Sequence, residues 1–106
     1  MLEELIATGK LFEDKFTEEY NYGTDFGIDD KTIPDYLRWL ASIGIFAEHS
    51  LKKQFPEMTK QILQYISDKS VFVRDYNIIM GYLESVKKLN EPNKELVNAI
   101  NDFYDK

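Results

Sequence analysis

The sequence predicts an all-α protein, a compact antiparallel bundle of about five helices with an aromatic-rich extended crossing at residues 17–31. Three observations predict it. Apolar residues recur at i, i+3, i+4 through most of the chain, the spacing of one buried helix face. Proline and small polar residues punctuate those periodic segments where helices start and stop. The stretch Tyr20–Asp30, YNYGTDFGIDD, alone breaks the helical period. At 106 residues the whole chain, 1–106, reads as one domain with a single core.

The first helix is expected over residues 2–16, LEELIATGKLFEDKF, with Leu2, Leu5, Ile6, Gly9, Phe12 and Phe16 on one stripe. Gly9 costs about 1 kcal/mol against Ala in a helix interior, so it marks a close approach of another helix. In the crossing that follows, Tyr20, Tyr22, Phe26 and Ile28 alternate loosely with Gly, Asn, Thr and Asp. That pattern suits extended chain or a short hairpin, with Gly23 and Gly27 free to take positive φ.

Thr32-Ile-Pro-Asp35 is the clearest helix start, with Thr32 as cap, Pro34 in the first turn and Asp35 three residues past the cap. The helix it opens, 33–55, carries two adjacent apolar stripes. One is Ile33, Tyr36, Leu37, Leu40, Gly44, Ala47 and Leu51; the other is Trp39, Ile43, Phe46 and Ser50. So wide an arc belongs to a central helix with neighbours on two sides, or to one with a side left for a partner. Pro56 ends it, because Phe55 is pushed out of helical geometry. Three shorter helices follow, at 56–67 (Met58, Ile62, Tyr65, Ile66), 71–89 (Phe72, Tyr76, Ile79, Leu83, Val86) and 93–106 (Leu96, Ile100, Phe103).

Composition narrows the chemistry. With no cysteine, disulfides, thiolate metal sites and cysteine nucleophiles are excluded. No secretory signal opens the chain and no apolar run approaches the roughly 18 residues of a membrane span, so a cytoplasmic protein is expected. His49 is the lone histidine, and HExxH, GxSxG, P-loop and GxGxxG patterns are absent. Asp25, Asp29 and Asp30 could hold a divalent ion only weakly, since Phe26 stands where a calcium loop needs Gly. Neither a cofactor nor a metal is expected, and no enzyme activity. The two arginines, Arg38 and Arg74, are unclustered, so nucleic acid is not an expected partner either.

The net charge of −6 is uneven: residues 1–35 hold ten acidic residues against three lysines, whereas 36–106 hold nine against ten basic ones. A negative end repels phosphate backbones and favours a basic protein surface, although a solvated acidic face also serves solubility.

LIATGKLF, the aromatic crossing, DYLRWL, the QFP helix end and IIMGYLESV together resemble a helical region that precedes effector domains in bacterial abortive-infection and related anti-phage proteins. The resemblance spans residues 5–87 and implies a regulatory or assembly module, with catalysis done elsewhere. The R-x-x-x-x-H signature of the HEPN nucleases often found nearby is missing, because Ile43 and Ile79 stand at the histidine position after Arg38 and Arg74. No effector follows residue 106, so an adaptor without its effector is expected.

The function expected is therefore a non-catalytic protein–protein interaction or regulatory module of a bacterial defence or mobile-element system. An acidic inhibitor or immunity factor that caps a basic partner is the alternative; a weak metal protein or enzyme is a third. Trp39, Phe46, Tyr22 and Phe26 form the expected contact set, with Asp25, Asp29 and Asp30 steering a basic partner, or a second copy in a homodimer. The competing reading packs Trp39 and Phe46 beneath the Tyr20–Ile28 crossing as core.

Overall fold

The core of the computed structural model, which describes residues 1–90, is organised around one helix. That helix, α2 (Ile33–Phe46), runs on through a π-helical turn at Ala47–Leu51. Both of its apolar stripes are buried: Tyr36, Leu40, Gly44, Ala47 and Leu51 on one side, Trp39, Ile43 and Phe46 on the other. The wide arc thus belongs to a central helix, with α1 (Leu2–Lys10) on one flank and α3 (Pro56–Ser67) on the other. The fourth helix, α4 (Val73–Asn90), packs against α1 and α3. The expected helix at 93–106 lies outside the described residues.

The protein is mostly helical, and the all-α expectation needs one correction. The crossing contains a two-stranded antiparallel hairpin, β1 (Glu18–Tyr20) and β2 (Asp25–Gly27), with Glu19 opposite Phe26. The hairpin is tied down on one side only. Gly27 bridges Phe72, and the Ile28 amide donates to the Val71 carbonyl at 2.9 Å. Phe72 therefore precedes α4 instead of lying on its inner face; a backbone pairing with β2 outcompetes one more helical turn.

Other boundaries move for local reasons. The first helix stops at Lys10, and a series of turns carries residues 11–14. Those turns keep Phe12 and Phe16 facing inward, where both meet the Tyr36 ring edge-on. At the start of α2 the Thr32 side chain caps nothing. Asp29 serves that corner instead: its carboxylate accepts from both the Thr32 amide and the Thr32 hydroxyl at 3.0 Å. Asp35, the expected capping-box partner, pairs with Arg38 at 3.0 Å. Pro56 begins α3, with Phe55 at φ −131° before it.

Gly9 lies at a close contact of α1 with side chains of α2 and α4. A β-carbon there would stand 2.5 Å from Met80 Sδ and 2.6 Å from Trp39 Cζ2. Two side chains also bond the α1 main chain nearby. The Trp39 indole N–H donates to the Leu5 carbonyl at 2.9 Å, and the Tyr76 hydroxyl to the Gly9 carbonyl at 2.7 Å. Around them Phe12, Phe16, Tyr36, Trp39 and Tyr76 form a continuous aromatic cluster.

Candidate functional site

The expected contact set divides in two. Trp39 is 3% exposed and Phe46 9%, so both are core residues, and this corrects their place on a docking surface. The physical reason lies in the flanks: α1 covers Trp39, whose indole is bonded to Leu5, and the α3 side closes over the rest of the arc. Tyr22 and Phe26 stand outside. Phe26 is 38% exposed and Tyr22 fully exposed, at the tip of the hairpin.

That tip is built with unusual backbone. Asn21, Tyr22 and Gly23 take successive positive φ values of 52°, 58° and 85°. Glycine adopts this region freely and asparagine tolerates it, but a tyrosine there carries a steric cost of about 1–2 kcal/mol. Local polar groups brace the turn. The Asn21 amide donates to the Asp25 carboxylate at 2.6 Å, and the Thr24 hydroxyl to the Asn21 carbonyl at 2.7 Å. Arg74 reaches from α4 to Asp25 at 3.6 Å while its guanidinium lies 5.1 Å from the centre of the Phe72 ring, and that ring meets Tyr20 edge-on.

The three aspartates play unequal parts. Asp25 is engaged by Asn21 and Arg74, and Asp29 by Thr32, so both carboxylates serve the loop's own structure. Asp30 is exposed and has no ion pair among the described residues, as is also true of Glu19 on β1. Among the described residues no three His, Asp or Glu side chains gather in a metal-binding group.

A second feature was not foreseen. Between α1 and the first half of α2 runs an open groove of about 580 Å³. Leu5, Phe12 and Trp39 form its floor, and Leu11, Lys15, Asp35, Arg38 and Ser42 its rim. Leu11, on the rim, is largely exposed, and Ile45 stands exposed on α2 one turn beyond Ser42. Both lie off the buried stripes of their segments. An apolar residue out of register with the core face was the signal the sequence offered for this side of the molecule.

Comparison with protein-family models, with curated proteins and with solved structures finds no match to this chain. Among the described residues no helix is long and apolar enough to cross a membrane.

Proposed function

We propose that this chain is a protein–protein interaction module that works without catalysing a reaction, and that the tip of its hairpin is the contact element. Tyr22 carries the reading. Its backbone holds the left-handed conformation and its ring buries nothing in the fold, so folding gains from neither. Strained backbone under an exposed aromatic side chain points to a role outside the fold, and tyrosine is among the residues that dominate binding energy at interfaces. Phe26 adds a second partly exposed ring.

The acidic surroundings support a basic partner, the feature shared with the inhibitor reading. Glu19 and Asp30 are free to act across an interface, while Asp25 and Asp29 shape the loop that presents the rings. A regulatory place in a bacterial anti-phage or mobile-element system rests on the resemblance of residues 5–87 alone.

The test compares the wild type with Tyr22→Asn as baits for capture from cell extract. Asparagine accepts the same backbone and removes the ring. The expected result is a protein retained by the wild type and lost by the variant, at unimpaired melting temperature. An identical retained set for both baits overturns the reading.

A further inference from the structure

The hairpin tip and the α1–α2 groove have complementary chemistry, and we infer that the tip of one copy of this chain seats in the groove of a second copy. The inference rests on the hairpin reading above and names its partner. The tip offers one unburied aromatic ring, Tyr22, beside the unpaired carboxylate of Glu19, which lies 3.9 Å from the position of a Gly23 β-carbon. The groove offers an apolar floor of Leu5, Phe12 and Trp39, an exposed Leu11 on one rim, and two cations, Lys15 and Arg38, at its edge.

The charges match in sign and in availability. Lys15 makes no side-chain ion pair among the described residues, and Glu19 likewise makes none. Arg38 is paired with Asp35 on the rim and its side chain is largely exposed, so its guanidinium is accessible to an aromatic ring. A phenol between Leu11 and the Arg38 stem would recover the burial that Tyr22 lacks in the single chain, and its hydroxyl would remain at the polar rim.

Position favours reciprocity. Lys15 and Thr32 are among the residues that line the groove, and they flank the hairpin's base, where the Asp29 amide donates to the Lys15 carbonyl at 2.9 Å. A single two-fold axis beside that corner lets each copy give its tip and receive the other's, the self-complementary arrangement of a closed dimer. Charge pairs at such a rim are solvent-accessible and screened over about 8 Å at physiological ionic strength, so association weakens as salt rises.

The experiment is sedimentation across a wide concentration range for the wild type, a tip variant (Tyr22→Asn) and a groove variant (Lys15→Glu with Arg38→Glu), alone and mixed. The wild type is expected to dimerise, and each variant to dimerise at least about tenfold more weakly. The mixture is expected to pair better than either variant alone, because the groove variant keeps an intact tip and the tip variant an intact groove. A wild type that stays monomeric, or a dimer indifferent to both variants, overturns the assignment. If the wild type is monomeric while Tyr22→Asn still loses a captured protein, the second copy is excluded and the hairpin reading stands. If neither effect is seen, both fail.

Discussion

Tyr36 and Tyr76 sit side by side in the aromatic cluster, and their hydroxyls meet different ends. Tyr76 donates to the Gly9 carbonyl, whereas the fully buried Tyr36 hydroxyl has no hydrogen-bond partner among the described residues. A made hydrogen bond contributes about 1 kcal/mol net, and an unmet buried hydroxyl costs a similar amount. Tyr76→Phe is therefore expected to lower stability by about 1 kcal/mol in urea unfolding, while Tyr36→Phe leaves it unchanged or raises it. Equal losses for the two would show that the Tyr36 hydroxyl is satisfied. At the hairpin tip the same logic runs through the backbone: Tyr22→Asn relieves the left-handed strain and is expected to raise stability by about 1 kcal/mol, read as a higher melting temperature. A variant that gains stability and loses a partner would be the sign of a residue kept for binding.

The hairpin carries the exposed Tyr22 and Phe26 rings, and its attachment depends on Gly27. A β-carbon there would stand 2.7 Å from the Tyr20 ring and 3.2 Å from the Val71 carbonyl oxygen, so the ring and a backbone atom both resist it. Gly27→Ala is expected to cost about 1–3 kcal/mol and to raise amide exchange at Ile28, whose bond to Val71 is the neighbouring link. Unchanged exchange would show that the tether survives. The sequence made the helices legible because core-facing positions repeat at helical spacing, and Gly9 was readable as a close approach from its cost alone. It placed the turn formers of Tyr20–Asp30 correctly but could not show that β2 would pair with Phe72, forty-five positions onward. The same limit hid the site. Periodicity reveals that Trp39 and Phe46 lie on a wide apolar arc, but only the packing of α1 and α3 decides that the arc is covered and that a groove remains beside Leu11.

Across the whole molecule the buried phenols give a pH dependence. Burial, then the charges of Tyr76 and Asp75, lift the Tyr36 phenol well above its ordinary range. Burial, then Glu13 and Glu84, push Tyr76 up to about 12. In the unfolded chain both ionise near 10, so the folded state holds its phenols protonated where the unfolded chain would release them. The stabilisation is complete below about pH 10 and is lost as pH rises through about 12. Urea midpoints are expected to hold steady from neutral pH to about 9 and to fall beyond 10, with phenolate absorbance rising on unfolding. A flat profile through pH 12 would show that these phenols are as free as exposed ones.

The two bonds onto the α1 main chain carry a consequence for how the chain comes to be folded. Nine residues are too few for a helix to stand alone in water, and α1 takes its securing partners from positions 34 and 67 residues further along. A ribosome adding about 5–20 residues per second needs roughly 3–13 seconds to pass from Gly9 to Tyr76. Trp39 is made less than halfway through that interval and Tyr76 only at its end, so α1 gains its two side-chain donors one after the other. Until Tyr76 is made, α1 lacks the second of its side-chain tethers, and its apolar stripe needs other cover in the meantime.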